Sequence, residues 1–235
     1  MQMQKLVLSV LLPSAAIGTA HAQTESSKLL LGGNISYYSN AAEGITVDPA
    51  INSPLHSNNK MKQGSFTPQI GFFVADNLVL GISLGFTGSK QTVVQDIYNA
   101  NVNLPSIYTY FSEYSYKTLS AGPFVRYYKM LGEKVGFYGQ LGADYQYGTQ
   151  RQLSGTQAST RATSNGGYAA ITPGFTYFPA RKVGVELTLG SLSYTKAKNT
   201  TRTVTGQSGD NTTSNFAANF GLQYLSVGAS LYLGN

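Results

Sequence analysis

The chain has 235 residues, of which 42% are hydrophobic and 11% charged, with 26 glycines, 17 tyrosines, 11 phenylalanines, no tryptophan and no cysteine. The missing cysteine excludes disulfide scaffolds, thiolate metal sites, cysteine catalysis and amino-terminal lipoprotein acylation. An aromatic content of 12% argues against disorder, and the net charge of +6 is spread without any Lys/Arg run, so nucleic acid is not expected as a partner.

At the start of the chain, residues 1–5 carry one lysine, residues 6–12 form an apolar run, and Ala20 and Ala22 stand where a signal peptidase reads small residues. The expectation is a signal peptide over 1–22, removed before Gln23, followed by one domain over 23–235. The apolar run falls well short of the roughly 20 residues a membrane-spanning helix needs, and no later segment suits one. Any residence in a membrane must therefore use strands.

From residue 29 onward the apolar residues recur with period two, which places them on one face of extended strands. Leu29, Leu31, Ile35 and Tyr37 open the series, followed by Phe66, Ile70, Phe72 and Val74, then by Leu78, Leu80, Ile82, Leu84 and Phe86. The beat continues in Leu119, Ala121, Val125 and Tyr127, in Val135, Phe137, Leu141, Ala143 and Tyr145, and in Ala169, Ile171, Phe175 and Tyr177. Val183, Val185, Leu187 and Leu189, then Leu225, Val227, Ala229, Leu231 and Leu233, complete eight segments. The joins at 75–77, 129–134 and 179–182 are tight, whereas the other four are expected to be loops of roughly 15–30 residues, an alternation typical of outer-membrane barrels.

The opposite face decides the class. It reads Gly81, Ser83, Gly85; Ser120, Gly122, Phe124, Arg126; Tyr138, Gln140, Gly142, Asp144; Gly184, Glu186, Thr188, Gly190; and Ser226, Gly228, Ser230. A water-facing exterior carries interspersed Lys and Glu, and this set of small and neutral-polar residues with few charges suits a crowded interior instead. The apolar face then meets lipid, and because backbone groups cannot stay unpaired in hydrocarbon, the sheet must close. The expected fold is all-β: a closed antiparallel up-and-down transmembrane β-barrel of eight strands, with short periplasmic turns and long extracellular loops. Phe66, Tyr127, Phe137, Tyr145, Tyr177 and Tyr194 stand where aromatic girdles sit. Pro68, Pro123 and Pro173 cannot donate to a ladder, so bulges or local widening are expected there.

Four stretches resemble the small outer-membrane β-barrel family of the OmpA-transmembrane and OmpX type: PQIGFFVADNL at 68–78, GPFVRYY at 122–128, PGFTYF at 173–178 and VELTLGS at 185–191. The resemblance covers nearly the whole chain after the signal segment. It implies an integral protein of the cell outer membrane, monomeric, without cofactor or metal, in contact with outer-membrane lipid including lipopolysaccharide. It also implies that Ser226, Gly228, Leu231 and Leu233 form the assembly signal that the barrel assembly machinery reads.

Few residues could carry catalysis. His56 is the one histidine after the signal segment, in the first long join, where a solvated residue is the simpler reading, and no cluster has metal-ligand spacing. No enzymatic activity is expected. Arg126, Asp144 and Glu186 are the charges at inward positions. Arg126 and Glu186 stand at similar distances above their tight turns and are expected to pair, with Asp144 higher and satisfied by a Tyr or Gln, the cluster plugging the lumen. Tyr108, Tyr110, Tyr114 and Tyr116 keep one parity leading into the fourth strand; the third and fourth strands are expected to protrude as a hairpin, whose tyrosines either pack beneath it or offer an edge for strand addition. Arg151, Arg161, Lys196, Lys198 and Arg202, set against Asp210, suit lipopolysaccharide phosphates or plain solvation. The functional expectation is a structural barrel with an extracellular ligand bound through its loops. A porin-like small-solute channel and an envelope-lipid-modifying enzyme are the alternatives.

Overall fold

The tight turns of the sequence become the corners of a continuous antiparallel ring. The structure, a computed structural model, describes residues 24–48, 53–99, 106–154, 157–203 and 208–234; the expected signal segment and the tip of the expected hairpin, 100–105, lie outside the described residues. The strands are β1 (Leu29–Asp48), β2 (Ser53–Ala75), β3 (Leu78–Asn99), β4 (Ser106–Met130), β5 (Val135–Ser154), β6 (Gln157–Ala180), β7 (Val183–Thr188), β8 (Gly190–Thr203), β9 (Ser208–Phe220) and β10 (Ser226–Leu233). Consecutive strands pair from β1 through β7, β7 pairs with β10, and β10 returns to β1 from Leu29↔Leu233 to Ile35↔Val227. The wall therefore has eight strands, as the alternation predicts.

Ten segments make eight walls because the last two are interrupted. β7 passes into β8 across Leu189, and β9 reaches β10 through a single 3-10 turn at Leu222–Tyr224. Gly190 and Gly221 both have positive φ, 132° and 133°, which L side chains rarely adopt, and the Gly221 N–H donates to the Leu189 carbonyl at 2.9 Å. The break is thus written by two glycines facing each other. Gly190, expected on the inward face, lies in this kink instead.

Over the described residues the four long joins are mostly strand. β1 to β6 are 20 to 25 residues long, and at about 3.3 Å per residue and a tilt near 40° such strands rise roughly twice the ~25 Å of an apolar band. The expected long extracellular loops are corrected to strand extensions over the described residues: the β1–β2 and β3–β4 ladders run on in register, β5–β6 does so up to a shift between Gln152 and Leu153, and β8 and β9 pair as a hairpin, so the added pairs need no new loop closure. The Thr, Tyr and Val content of these stretches favours extended backbone.

The prolines each interrupt one ladder without forming a bulge of their own. Pairing of β2 with β3 lapses between Phe66↔Phe86 and Gln69↔Ser83 and resumes unshifted, and pairing of β4 with β5 lapses between Ala121↔Tyr145 and Phe124↔Gly142. Pro173 lies where β6 exchanges its partner β8 for β7, from Ile171↔Leu192 to Gly174↔Thr188. Each missing N–H is accommodated by local widening or at a break already present.

The outward face carries the apolar alternation, with Ile70, Ile82, Leu84, Leu141 and Ile171 exposed along the wall. The inner face is packed at the tight-turn end by Leu30, Phe73, Val79, Phe124, Tyr128, Tyr138, Phe178 and Tyr232. Small residues allow these rings to fit: a Cβ at Gly81 would meet the Ile70 carbonyl and, at 2.6 Å, the Phe124 ring. Gly81→Ala is expected to lower folded-barrel stability by about 1–3 kcal/mol in urea titration, the usual cost of overpacking.

Candidate functional site

Inside the ring the residues sort by height into a floor, a charged layer and a cup. The floor is aromatic: Phe73 stacks on Tyr128 with centroids 5.9 Å apart, Phe178 packs on Tyr232 at 5.0 Å, and the Tyr128 and Tyr232 hydroxyls lie 3.1 Å apart. Residues 24–28 tie in below it, with Thr24 Oγ1 donating to Asn77 Oδ1 and the Asn77 N–H to the Thr24 carbonyl. Asn77 suits this corner because its φ of 65° is a conformation that asparagine tolerates.

Directly above, Arg126 and Glu186 meet. Arg126 Nη1 donates to Glu186 Oε1 at 2.7 Å, and each side chain is 1% exposed. The guanidinium is further satisfied by Gln140 Oε1 at 2.8 Å, Gln69 Oε1 at 2.6 Å and the Tyr128 hydroxyl at 2.9 Å, and it stacks 4.3 Å from the Tyr138 ring centroid. Glu186 also accepts from Ser230 Oγ at 2.5 Å and from the Tyr138 hydroxyl at 3.3 Å. The network draws on β2, β4, β5, β7 and β10, so it links five walls across the lumen. A desolvated ion pair is tolerable only when its remaining donors and lone pairs are met in this way.

Asp144 stands apart from the pair. Its carboxylate accepts from Ser83 Oγ at 3.2 Å, so serine takes the place of the expected Tyr or Gln. It belongs to the wall of a cup of about 340 Å³, open away from the floor and lined also by Asn34, Gln140, Gln146, Tyr168 and Ser226.

Of the tyrosine run, only the upper part is an edge. β4 pairs with β3 throughout, and with β5 from Ser112↔Ser154 downward, so Tyr114 and Tyr116 lie within the sheet while Tyr108 and Tyr110 rise above the β5 ladder. This corrects the expected edge: β5 extends nearly as far as β4. Tyr114 and Tyr110 accept hydrogen bonds from Gln152 and Ser154 of β5, which couples them to the neighbouring strand. Higher on the opposite face, the His56 backbone N–H and the Thr109 hydroxyl donate to Asp96, holding its carboxyl below the usual carboxylate range. No cluster of three or more metal-ligating side chains occurs among the described residues.

The register aligns cations that the sequence leaves scattered. Lys62↔Lys90, Lys90↔Ser115, Ser115↔Arg151, Arg151↔Arg161 and Arg161↔Arg202 form one cross-strand row over β2, β3, β4, β5, β6 and β8. By strand parity the row lies on the outward face, above the apolar band, with Lys60, Lys117, Lys196 and Lys198 on the same face. Glu113 pairs with Lys90 and Asp210 with Lys198, both at 2.8 Å. On the bordering strands β1 and β9 the row positions are Ser39 and Ser208.

The floor does not stand out in the sequence because Leu30, Phe73, Tyr128, Phe178 and Tyr232 interrupt an otherwise polar inner set. Their parity with Arg126 and Ser230 was the available signal. Ser226 and Gly228 point inward and Leu231 and Leu233 outward on β10, the strand that closes the ring.

No protein-family model matches the chain, and no curated protein matches it. Solved structures do. The attachment invasion locus protein Ail of Yersinia pestis aligns over 88% of this chain and 99% of its own, at 13% identity and a TM-score of 0.35. The outer membrane protein OprG of Pseudomonas aeruginosa aligns over 91% and 99%, at 13% identity and a TM-score of 0.44. The outer membrane protease OmpT of Escherichia coli aligns over 90% and 96%, at 7% identity and a TM-score of 0.37. The chain is similar to these outer-membrane barrels in its ring of antiparallel strands, the architecture that its own alternation predicts.

Proposed function

We propose that this chain is an integral outer-membrane barrel with a lumen sealed at its periplasmic end, anchored among anionic outer-leaflet lipids and binding partners through its protruding sheet. The observation that carries the reading is the outward surface: an apolar band on every wall strand, followed by a row of basic side chains. Hydrocarbon requires the first and phosphate groups match the second. Arg151, Arg161 and Arg202 stand directly opposite one another, an arrangement that repels unless an anion bridges it. Lipopolysaccharide phosphates are the anions of that surface. Ser226, Gly228, Leu231 and Leu233 of β10 serve the assembly machinery, and the sealed floor supports a structural and binding role over solute passage.

The row is tested by thermal unfolding in lipopolysaccharide and in phosphatidylcholine. The unaltered protein should unfold at a higher temperature in lipopolysaccharide, and Arg151→Gln, Arg161→Gln and Arg202→Gln together should remove most of that difference while leaving the midpoint in phosphatidylcholine nearly unchanged. An equal difference in the triple variant would contradict the anchoring role.

A further inference from the structure

Above Ile35↔Val227 the wall does not close. Over residues 36–48 β1 pairs with β2 only, and over 208–220 β9 pairs with β8 only; no ladder joins β1 to β9 among the described residues. The cause is local. Thr188↔Ser226 and Gly190↔Phe220 leave residues 221–225 standing opposite the single residue Leu189, so the chain leaves the wall there and β9 resumes away from β1. The last described tie across the base of this seam is Ser226 Oγ donating to the Ile35 carbonyl at 3.2 Å.

The seam opens where the apolar band ends. On β1 the outward series passes from Ile35 and Tyr37 to Ser39, Ala41 and Glu43 before Ile45 and Val47 near its far end. On the other border Phe216, Phe220 and Leu222 are exposed, Leu222 by 82%. On the inner side Asn34 and Ser226 line both the seam base and the cup, and Asn34 Oδ1 is enclosed without a hydrogen-bond partner. An enclosed acceptor without a donor is costly, and unpaired strand backbone at membrane depth is tolerated where it lines a polar cavity. The basic row is interrupted at β1 and β9, neither of which carries a Lys or Arg, and Asp144 is the charged side chain of the cup wall. The seam therefore offers an anionic head no cation of its own, in contrast to the rest of the outer face.

We propose that seam and cup form one side-opening site for a single-chain amphiphile with an uncharged, hydroxyl-bearing head. The chain stays against Ile35, Tyr37, Phe220 and Leu222, and the head enters between β1 and β9, where a hydroxyl hydrogen-bonds the Asn34 side-chain amide. The cup volume of about 340 Å³ accommodates such a head, being within the range of small-molecule pockets. The site rests on the membrane reading above, and the test keeps the two separable.

The protein has no tryptophan, so single reporters can be placed at will. Ser36→Trp sits on the seam, Gln146→Trp on the far cup wall and Tyr145→Trp on the lipid-facing surface. In phosphatidylcholine vesicles, a monoacylglycerol brominated in its chain should quench Ser36→Trp saturably and Tyr145→Trp only in proportion to its membrane concentration, with Gln146→Trp little affected. Asn34→Leu in the Ser36→Trp background should weaken the saturable quenching about fivefold, the scale of one neutral hydrogen bond. The brominated fatty-acid anion of equal chain length should quench Ser36→Trp without saturation. If Ser36→Trp does not fold, Ser65→Trp, one strand away, reports on the same space.

Non-saturable quenching of Ser36→Trp, or equal saturation by the anion, overturns the proposal. Quenching that appears only at low protein density, with the reporter shielded at high density, assigns the seam to a second copy of the chain and overturns it too. Absence of quenching at Tyr145→Trp would instead reject membrane insertion itself.

Discussion

Glu186→Ala should destabilise the folded barrel by about 3–5 kcal/mol, the cost of leaving a buried guanidinium without its counter-charge. Urea unfolding in lipid vesicles measures it. Arg126 and Glu186 are each 1% exposed and 2.7 Å apart, and Ser230 and Tyr138 would be left donating to nothing. Arg126→Ala should cost a similar amount, because Gln69 and Gln140 then lose their donor as well. The double variant should cost clearly less than the sum, since removing both charges leaves neither one stranded. Additive losses would show that the two side chains act independently and would contradict the network described above.

Opening the floor should convert the barrel from sealed to leaky. Tyr128 and Tyr232 join hydroxyls across the tight-turn end, each packing on Phe73. Tyr128→Ala with Tyr232→Ala removes both rings, and each large-to-small change in a packed core costs about 3–5 kcal/mol. Single-channel recording in planar bilayers should show no stable openings for the unaltered protein and discrete openings for the double variant. Stable openings in the unaltered protein would contradict the sealed lumen proposed above and favour the solute-channel alternative. Silence from a folded double variant would mean that the Arg126 layer seals the lumen by itself.

Alternation was legible because strand parity is a local property: once Leu80, Ile82 and Leu84 point one way, Gly81, Ser83 and Gly85 must point the other. Tight turns at 75–77 and 179–182 were legible for the same reason, being short gaps between periodic runs. Arg126 and Glu186 could be matched because both are counted upward from a tight turn, although the pair forms across the lumen and not along a ladder, Arg126 facing Gln140 and Glu186 facing Thr176. The extended outer strands were not legible. Their Ser, Thr and Asn content reads as loop when each segment is taken singly, and only pairing with an already formed neighbour makes strand the lower-energy state.

Period-two patterning together with a second face poor in charge dictated a closed barrel with its greasy side outward, because those constraints act residue by residue. Partnership across strands belonged to the folded ring. It placed Ser83 against Asp144, lined up Arg151, Arg161 and Arg202 from three different strands, and left β1 and β9 apart above Ile35. Such contacts depend on register, tilt and the five residues 221–225 that face the single residue Leu189. A shift of one residue in any ladder would exchange every inward and outward neighbour, so these contacts exist only once all eight walls have closed.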